Sequence, residues 1–297
     1  MLIGILLSLG AALCGSVGYV AIKQGLQTAD YKVFILLSTL IGVVISGPLL
    51  WIFGCGLAGL NLKAVLPFLI TGGLGGGLLA RISLTKATHQ IGASRTHALT
   101  SVSPLVTAIL GITLLDEVVN AQLAFGTAIV IVGACFLSYL VYRGNSTNTP
   151  REKTTSPLLG LGLASYGMIM FGLHPILRVI GVELGATPLQ GAFIRFLTAF
   201  VGYLIYMLIA RPGIKVELNL QVNPYVIAGI AWALAPILSI FAIQYVSPTV
   251  YASLTRVGPL FTVILTYFFL KGIEKTNWKI GVNAFLIVIG AVLVSTA

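Results

Sequence analysis

The chain has 297 residues, of which 58% are hydrophobic and only 8% are charged, and its mean hydropathy is +1.04. A soluble domain carries about 25% charged residues, so this chain could not cover its surface in water. The net charge of +10 is spread over turns that flank apolar runs, which argues against a nucleic-acid-binding face. The composition predicts an all-α integral membrane protein.

Ten apolar runs follow one another along the chain, and each has about the 20 residues that cross a bilayer as a helix. The predicted helices span approximately residues 2–27, 32–53, 67–88, 93–115, 120–142, 157–181, 187–210, 223–246, 248–270 and 277–296. The first run begins at Leu2 without a basic region, which favours a retained helix over a cleaved signal. Pro67 is expected in the first turn of the third helix, and the glycine-rich stretch 72–77 is expected to pack closely inside that helix.

A polar, charged segment at residues 143–156 lacks periodicity and is predicted to be a solvated linker. It divides the chain into two five-helix units, residues 1–142 and 157–297. The stretch Pro104-Leu-Val-Thr-Ala-Ile-Leu110 returns in the second unit as Pro259-Leu-Phe-Thr-Val-Ile-Leu265, which indicates a duplication. An odd number of helices in each copy makes the second copy enter the membrane from the opposite side. The sequence therefore predicts two inverted five-helix repeats with a substrate site near the bilayer midplane.

The Lys and Arg residues of the loops predict the orientation, because cytoplasmic loops are enriched in both. Lys63 stands in a loop after an even-numbered helix, and Arg178 lies near a helix end on that side. The loops after odd-numbered helices hold a larger set: Lys32, Arg143, Arg151, Lys153, Arg211, Lys215, Lys271, Lys275 and Lys279. This bias predicts a multi-pass protein of the inner (plasma) membrane with both termini outside.

In order and in duplicate, these features resemble the EamA-like family of the drug/metabolite transporter superfamily, over essentially the whole chain. The resemblance is carried by the two Pro-Leu helices ending near Glu117 and Glu274, the glycine-bearing helices after them, Lys23, and Arg195 in an I-R-F-L-T-A-F stretch. It implies a transporter of small metabolites, with amino acids as the leading class. Two features depart from it. Ser38, and not an Arg, stands near the first-half position that matches Arg195. The loop after the second helix is poor in Lys and Arg, whereas such proteins commonly have a basic loop there and keep their termini inside.

Acidic residues are confined to turns and helix ends: Asp30, Asp116, Glu117, Glu152, Glu183, Glu217 and Glu274. A carrier of organic cations needs a buried carboxylate, so this placement argues against cationic drugs and polyamines. The embedded charges are basic, and each costs about 2.5–3.5 kcal/mol or more at the bilayer centre. Guanidinium groups bind carboxylate or phosphate in bidentate fashion. We therefore expect a water-accessible cavity of positive potential.

The candidate substrate-binding residues are Tyr19, Lys23, Arg81, His97, His174, Arg195, Trp232, Tyr251 and Arg256. Several interpretations stay open. Arg195 either binds ligand or ties helices together, and Lys23 either lines the cavity or extends to the lipid headgroups. His97 is either a proton-coupling group or a packing residue. Arg256 is expected to contact the ligand or a gate.

The predicted function is secondary active transport, in the export direction, of small anionic or zwitterionic metabolites such as amino acids, by alternating access. One alternative is a carrier of phosphorylated or nucleotide-linked sugars, and another is a membrane sensor or assembly factor without transport. No Ser-His-Asp set, carboxylate pair or metal-ligand spacing stands out, so we expect no enzyme activity, cofactor or metal. The expected partners are the lipid bilayer and a small-molecule substrate, but no nucleic acid. Proton coupling and facilitated exchange both stay open, as do monomer and homodimer.

Overall fold

The computed structural model describes residues 1–25, 31–54, 56–72, 75, 78–91, 96, 99–145, 157–210, 223–269 and 278–297. Within these ranges the chain forms helices and no strand, which confirms the all-α class. In chain order the helices are α1 Leu2–Gly25, α2 Tyr31–Phe53, α3 Leu62–Gly72, α4 Leu79–Ile91, α5 Ser103–Leu114, α6 Ala121–Asn145, α7 Pro157–Glu183, α8 Pro188–Ala210, α9 Asn223–Ala242, α10 Pro248–Thr255, α11 Gly258–Phe269 and α12 Trp278–Ser295.

Three stretches have both the length and the apolar composition to cross a membrane: Ile35–Phe53, Leu158–Glu183 and Pro188–Ile209. Shorter apolar helices lie at Leu2–Gly18, Leu62–Gly72, Leu99–Leu114, Ala121–Phe136, Val226–Ala242 and Phe285–Ser295. The chain thus has the helices of a membrane protein, while the count of ten spans stays a prediction. Several predicted spans are short here because the structure divides them or because part of their length falls outside the described ranges.

Both Pro-Leu motifs break their helices, which the sequence analysis wrongly treated as continuous. The backbone N–H of Val102 donates to Leu99 O at 3.1 Å, and that of Val257 donates to Leu254 O at 3.1 Å. These three-residue turns stand at matching places, two residues before Pro104 and Pro259. A proline lacks the N–H that would bond four residues back, and its ring clashes with that carbonyl. The duplicated motif therefore creates the same break twice.

The third predicted helix is also divided. It begins at Leu62, so Pro67 lies inside α3 and not in its first turn as predicted. α3 ends at Gly72 and α4 begins at Leu79, so the glycine-rich stretch is not within one continuous helix. Gly75 N donates to Ile70 O at 2.7 Å, a wide turn that spans five residues. At the other end of the first half, α6 continues to Asn145, three residues into the predicted linker.

Helix packing has the same pattern when the two halves are exchanged. α1 packs against α9, and its counterpart α7 packs against α3 and α4, the counterparts of α9. α1 also packs against α10 and α11, as α7 packs against α5. The pairs α2–α8 and α6–α12 join equivalent helices of the two halves, and α5 packs against α10, the segment before the break in the second copy. Self-complementary contacts of this kind are those of a twofold arrangement, and in it α5 and α10, each beside one of the breaks, pack against each other.

Hydroxyl groups fasten the broken helices to their neighbours. Thr107 in α5 donates through Oγ1 to Gly172 O of α7 at 2.9 Å. Ser16 in α1 donates through Oγ to Gly258 O, beside the second break, at 2.7 Å. A buried carbonyl without a partner costs several kcal/mol in hydrocarbon. These hydroxyls therefore help the fold to tolerate interrupted backbone at its centre.

Candidate functional site

One face of α7 carries the first part of the site. Phe171, His174 and Arg178 are spaced at i, i+3 and i+7, so their side chains lie on one face of the helix. The His174 ring meets the Phe171 ring edge to face, with centroids 5.9 Å apart. α7 continues through Pro175, which lies within it. The helix thus presents an aromatic ring, an imidazole and a guanidinium in a row along one face.

Arg178 is only 4% exposed and meets α10 and α9. Its Nη1 donates to the hydroxyl of Tyr251 at 3.5 Å. That hydroxyl also shares a 2.6 Å hydrogen bond with Ser239 Oγ. Among the described residues, Arg178 Nε has no hydrogen-bond partner although it is buried. The Nε–H of this guanidinium is therefore a buried donor that the described part of the chain leaves unused.

Arg195 projects from α8 and is 7% exposed. Its Nε is buried and, within the described ranges, has no hydrogen-bond partner. Arg81 and Arg178 lie close enough for their charges to act on it. The Phe196 ring lies beside it, with the ring centroid 5.3 Å from Cζ. Arg195 is therefore a buried cation near two others, and its Nε has no hydrogen-bond partner in the described part of the chain.

Arg81 completes the group from α4. Its Cζ lies 4.1 Å from the centroid of the Trp232 ring, in cation–π geometry. Its Nη1 donates to Ser38 Oγ at 3.4 Å. The indole Nε1 of Trp232 donates to Gly15 O of α1 at 3.2 Å, which fixes the ring under the guanidinium. We call Arg81, Arg178 and Arg195 the guanidinium cluster.

Glycines allow the backbone to approach the cluster closely. A Cβ on Gly75 would overlap the His174 imidazole, and a Cβ on Gly18 would overlap the Trp232 indole. A Cβ on Gly72 would likewise meet the backbone of Arg195. Only a residue without a side chain fits at such contacts. The glycine-rich end of α3 therefore serves close packing over the cluster, as the sequence analysis expected.

Arg256 lies at one end of the α7 row, on the break between α10 and α11. Its Nη2 donates to Ser103 Oγ, at the matching break in the first half, over 2.6 Å. Its Cζ lies 6.0 Å from the Phe171 ring centroid. The residue thus bridges the two broken helices and reaches the guanidinium cluster through Phe171 and His174.

The sequence candidates divide into two groups. Around the cluster the fold brings together Arg81, His174, Arg195, Trp232 and Tyr251, and it places Arg256 at the border. The side chains of Tyr19, Lys23 and His97 lie outside the described residues. The sequence analysis mentioned Arg178 but left it out of the site, and it did not single out Phe171 or Ser239. The four-residue spacing of Arg178 from His174 on one helix was the signal that could have found it.

The electrostatics of the cluster are unbalanced. Of the acids in the described ranges, Asp116 and Glu117 lie in the turn after α5, and Glu183 is exposed at the end of α7. No group of three or more His, Cys, Asp or Glu residues within the described ranges could hold a metal ion. A buried ion costs several kcal/mol unless it is paired and hydrogen-bonded. The arrangement is suited to accept an anion, which would bond the buried Nε–H groups of Arg178 and Arg195.

A duplicated helical membrane protein with interrupted helices and a charged centre between its halves is typical of secondary transporters. The model of the EamA-like transporter family matches this chain twice, at residues 2–139 and 158–296. The chain therefore belongs to the EamA-like transporter family, within the drug/metabolite transporter superfamily. The two matches correspond to two repeats of one unit.

The same architecture occurs in solved structures, of which 29 chains match this one. One of them, described only as a crystal structure of a protein, aligns over 99% of this chain and 97% of its own. Its TM-score is 0.80 at 15% sequence identity, so the likeness shows a shared fold alone. No curated protein matches the chain.

Proposed function

We propose that the protein transports a small metabolite bearing a carboxylate or phosphate group, and that the guanidinium cluster binds this group. The observation that carries the proposal is the burial and incomplete hydrogen bonding of Arg178 and Arg195. Both are more than nine-tenths buried, and each has a buried Nε without a hydrogen-bond partner among the described residues. A carboxylate or phosphate oxygen is the ordinary partner of such a group. A purely structural arginine in lipid would be expected to use its donors on backbone carbonyls.

Alternating access is the proposed mechanism, with ten spans arranged as two inverted repeats, residues 1–142 and 157–297, joined by a linker at 143–156. Three features support it: the exchangeable packing of the two halves, the matching helix breaks and the position of the cluster between α4, α7 and α8. Rocking of one half against the other around the cluster would open it to each side in turn. The breaks supply places where the helices can bend.

The location proposed is the inner (plasma) membrane, with both termini outside and net movement outward. The support is the bias of loop Lys and Arg toward one side of the chain. Fusion of a reporter to the C-terminus tests the orientation. Alkaline phosphatase activity is expected from that fusion, and a fluorescent C-terminal fusion protein that folds only in the cytoplasm is expected to stay dark. The reverse pattern would show that the termini are inside.

Flux into proteoliposomes tests transport itself. Purified protein is reconstituted, and uptake is followed for labelled amino acids, mono- and dicarboxylates and sugar phosphates, with protein-free liposomes as the control. Saturable uptake of at least one anionic or zwitterionic compound is expected, together with competition by unlabelled compound. If none of the panel enters faster than into the protein-free liposomes, the proposal fails and the sensor or assembly-factor alternative gains support.

A further inference from the structure

Tyr251 lies beside Arg178, one of the two buried arginines that the proposed function assigns to the ligand. We propose that Tyr251 is a positioning residue, which orients the guanidinium of Arg178 for the anion and does not bind the anion itself. The inference rests on the proposed function, in which Arg178 contacts the ligand. It comes from the direction of the hydrogen bonds at the Tyr251 hydroxyl and from the way in which α10 is anchored.

The directions of these hydrogen bonds follow from the number of protons. Ser239 has one O–H, which it donates to Ala235 O of its own helix at 2.7 Å. Tyr251 is therefore the donor in the 2.6 Å bond between its hydroxyl and Ser239 Oγ, because each hydroxyl carries a single hydrogen. With its own O–H used in this way, the Tyr251 oxygen accepts from Arg178 Nη1 at 3.5 Å.

A hydroxyl whose proton is already used is suited to hold a guanidinium and unsuited to bind an anion. An anionic oxygen needs a donor, and the O–H of Tyr251 points to Ser239. The phenol oxygen accepts from Nη1 of the planar guanidinium, whose N–H directions are fixed relative to one another. Arg178 Nε is buried and has no hydrogen-bond partner in the described part of the chain. Tyr251 thus engages one donor of Arg178 and leaves the Nε–H for the ligand.

α10 keeps Tyr251 in place because another face of this helix is bonded to the first half of the chain. Thr249 donates through its backbone N and its Oγ1 to the carboxylate of Glu117, at 3.2 Å and 2.9 Å. Ser253 Oγ lies 2.9 Å from Thr127 Oγ1 of α6. Thr249 and Ser253 are four residues apart and share a face of the helix, from which Tyr251, midway between them, points away. The phenol is therefore presented to Arg178 from an anchored helix.

A double-mutant cycle tests the role of Tyr251, with succinate and glycerol phosphate as probes of a carboxylate and of a phosphate. Affinities are measured by isothermal titration calorimetry in detergent for Tyr251→Phe, for Arg178→Gln and for the double variant. Initial flux of the labelled probes into proteoliposomes extends the comparison to variants that bind too weakly for calorimetry. The control is Tyr245→Phe, which removes the hydroxyl of an exposed tyrosine in the turn after α9.

Tyr251→Phe is expected to raise the Kd of the better-bound probe about three- to tenfold, a modest loss because the bond to Arg178 is long. In the Arg178→Gln background the same substitution should change the Kd by less than about twofold, since the group that it positions is gone. Tyr245→Phe should leave the Kd unchanged. Ser239→Ala removes the acceptor that directs the phenol, and it provides a second variant with the same expected pattern, should Tyr251→Phe fail to fold.

An equal loss of affinity in both backgrounds would overturn the proposal, because Tyr251 would then act on the ligand directly or through stability alone. An unchanged Kd in Tyr251→Phe would overturn it as well. In both cases the proposed function stands if Arg178→Gln weakens binding and the flux panel shows transport. If Arg178→Gln binds as tightly as the unsubstituted protein, the inference falls together with the assignment of Arg178 to the ligand. If no probe and no compound of the flux panel binds or moves, the proposed function falls too.

Discussion

Replacing Arg195 with methionine should make the protein more stable and inactive at the same time. Arg195 is 7% exposed, its Nε has no partner in the described part of the chain, and its charge is repelled by two neighbouring arginines. Methionine has a similar length and no charge. The substitution therefore removes the repulsion and the desolvation cost together, and it also removes a group that binds the ligand.

The expected gain follows from what a buried unpaired ion costs. That cost is several kcal/mol, and replacement of buried ionic groups by apolar residues of similar volume has gained about 1–4 kcal/mol elsewhere. Relaxation of the protein around the ion offsets part of this cost, so we expect a gain of about 1–3 kcal/mol for the ligand-free protein. At roughly 2–4 °C per kcal/mol, the melting temperature should rise by about 3–8 °C.

Thermal unfolding in detergent, with and without ligand, is the assay. Ligand at a hundred times its Kd should stabilise the unsubstituted protein by about 2.7 kcal/mol, and it should add almost nothing to Arg195→Met. Arg195→Lys serves as the control, since it keeps the charge and loses the planar fork. That variant should stay as unstable as the unsubstituted protein and bind more weakly.

The opposite result would refute the reasoning. If Arg195→Met unfolds at a lower temperature and the ligand still stabilises it, Arg195 ties helices together and does not bind substrate. This was the structural interpretation left open by the sequence.

Two further predictions use matched positions on one segment. Gly18→Ala should push the indole of Trp232 aside, at an overpacking cost of about 1–3 kcal/mol, and should therefore lower the initial flux and change the tryptophan fluorescence. The control is Gly15→Ala, whose new Cβ has no heavy atom within 4 Å, so this variant should behave as the unsubstituted protein. Equal flux in both variants would refute the placement of the ring. Glu117→Ala removes a carboxylate that accepts hydrogen bonds from the backbone and side chain at the start of α10, at 3.2 Å and 2.9 Å, and should destabilise the protein by about 1 kcal/mol. The control is Asp116→Asn, an exposed substitution at a φ of 50° that Asn tolerates, and it should leave the melting temperature unchanged. If it lowers the melting temperature as much as Glu117→Ala does, the conformation of the turn stabilises the protein, and not the hydrogen bonds of Glu117 to the start of α10.

The sequence was sufficient for the class and the duplication. Composition excludes a soluble domain because a chain with 8% charged residues cannot solvate its own surface. The repeated Pro-Leu motif indicated two equivalent units, and both now belong to matches of one family model. It did not predict that each proline breaks its helix. A hydropathy average over a window does not register one missing N–H. The lack of a backbone N–H at Pro104 and Pro259 was the signal that could have predicted the breaks.

For the site, the sequence alone could provide only a list of candidate residues, most of them basic. The sequence could only list embedded basic residues as candidates, and it left out Arg178, because nothing in a linear pattern shows which helices meet. Only the packing of α7 against α4 and α10 places Arg178 beside Tyr251, and only a close approach at Gly75 sets the backbone against His174. The sequence by itself determined the membrane-protein class and the duplication, and it predicted that the embedded charges are basic. The tertiary structure decided which residues surround Arg81 and Arg178, because the contacts with Trp232 and Tyr251 join residues far apart in the chain.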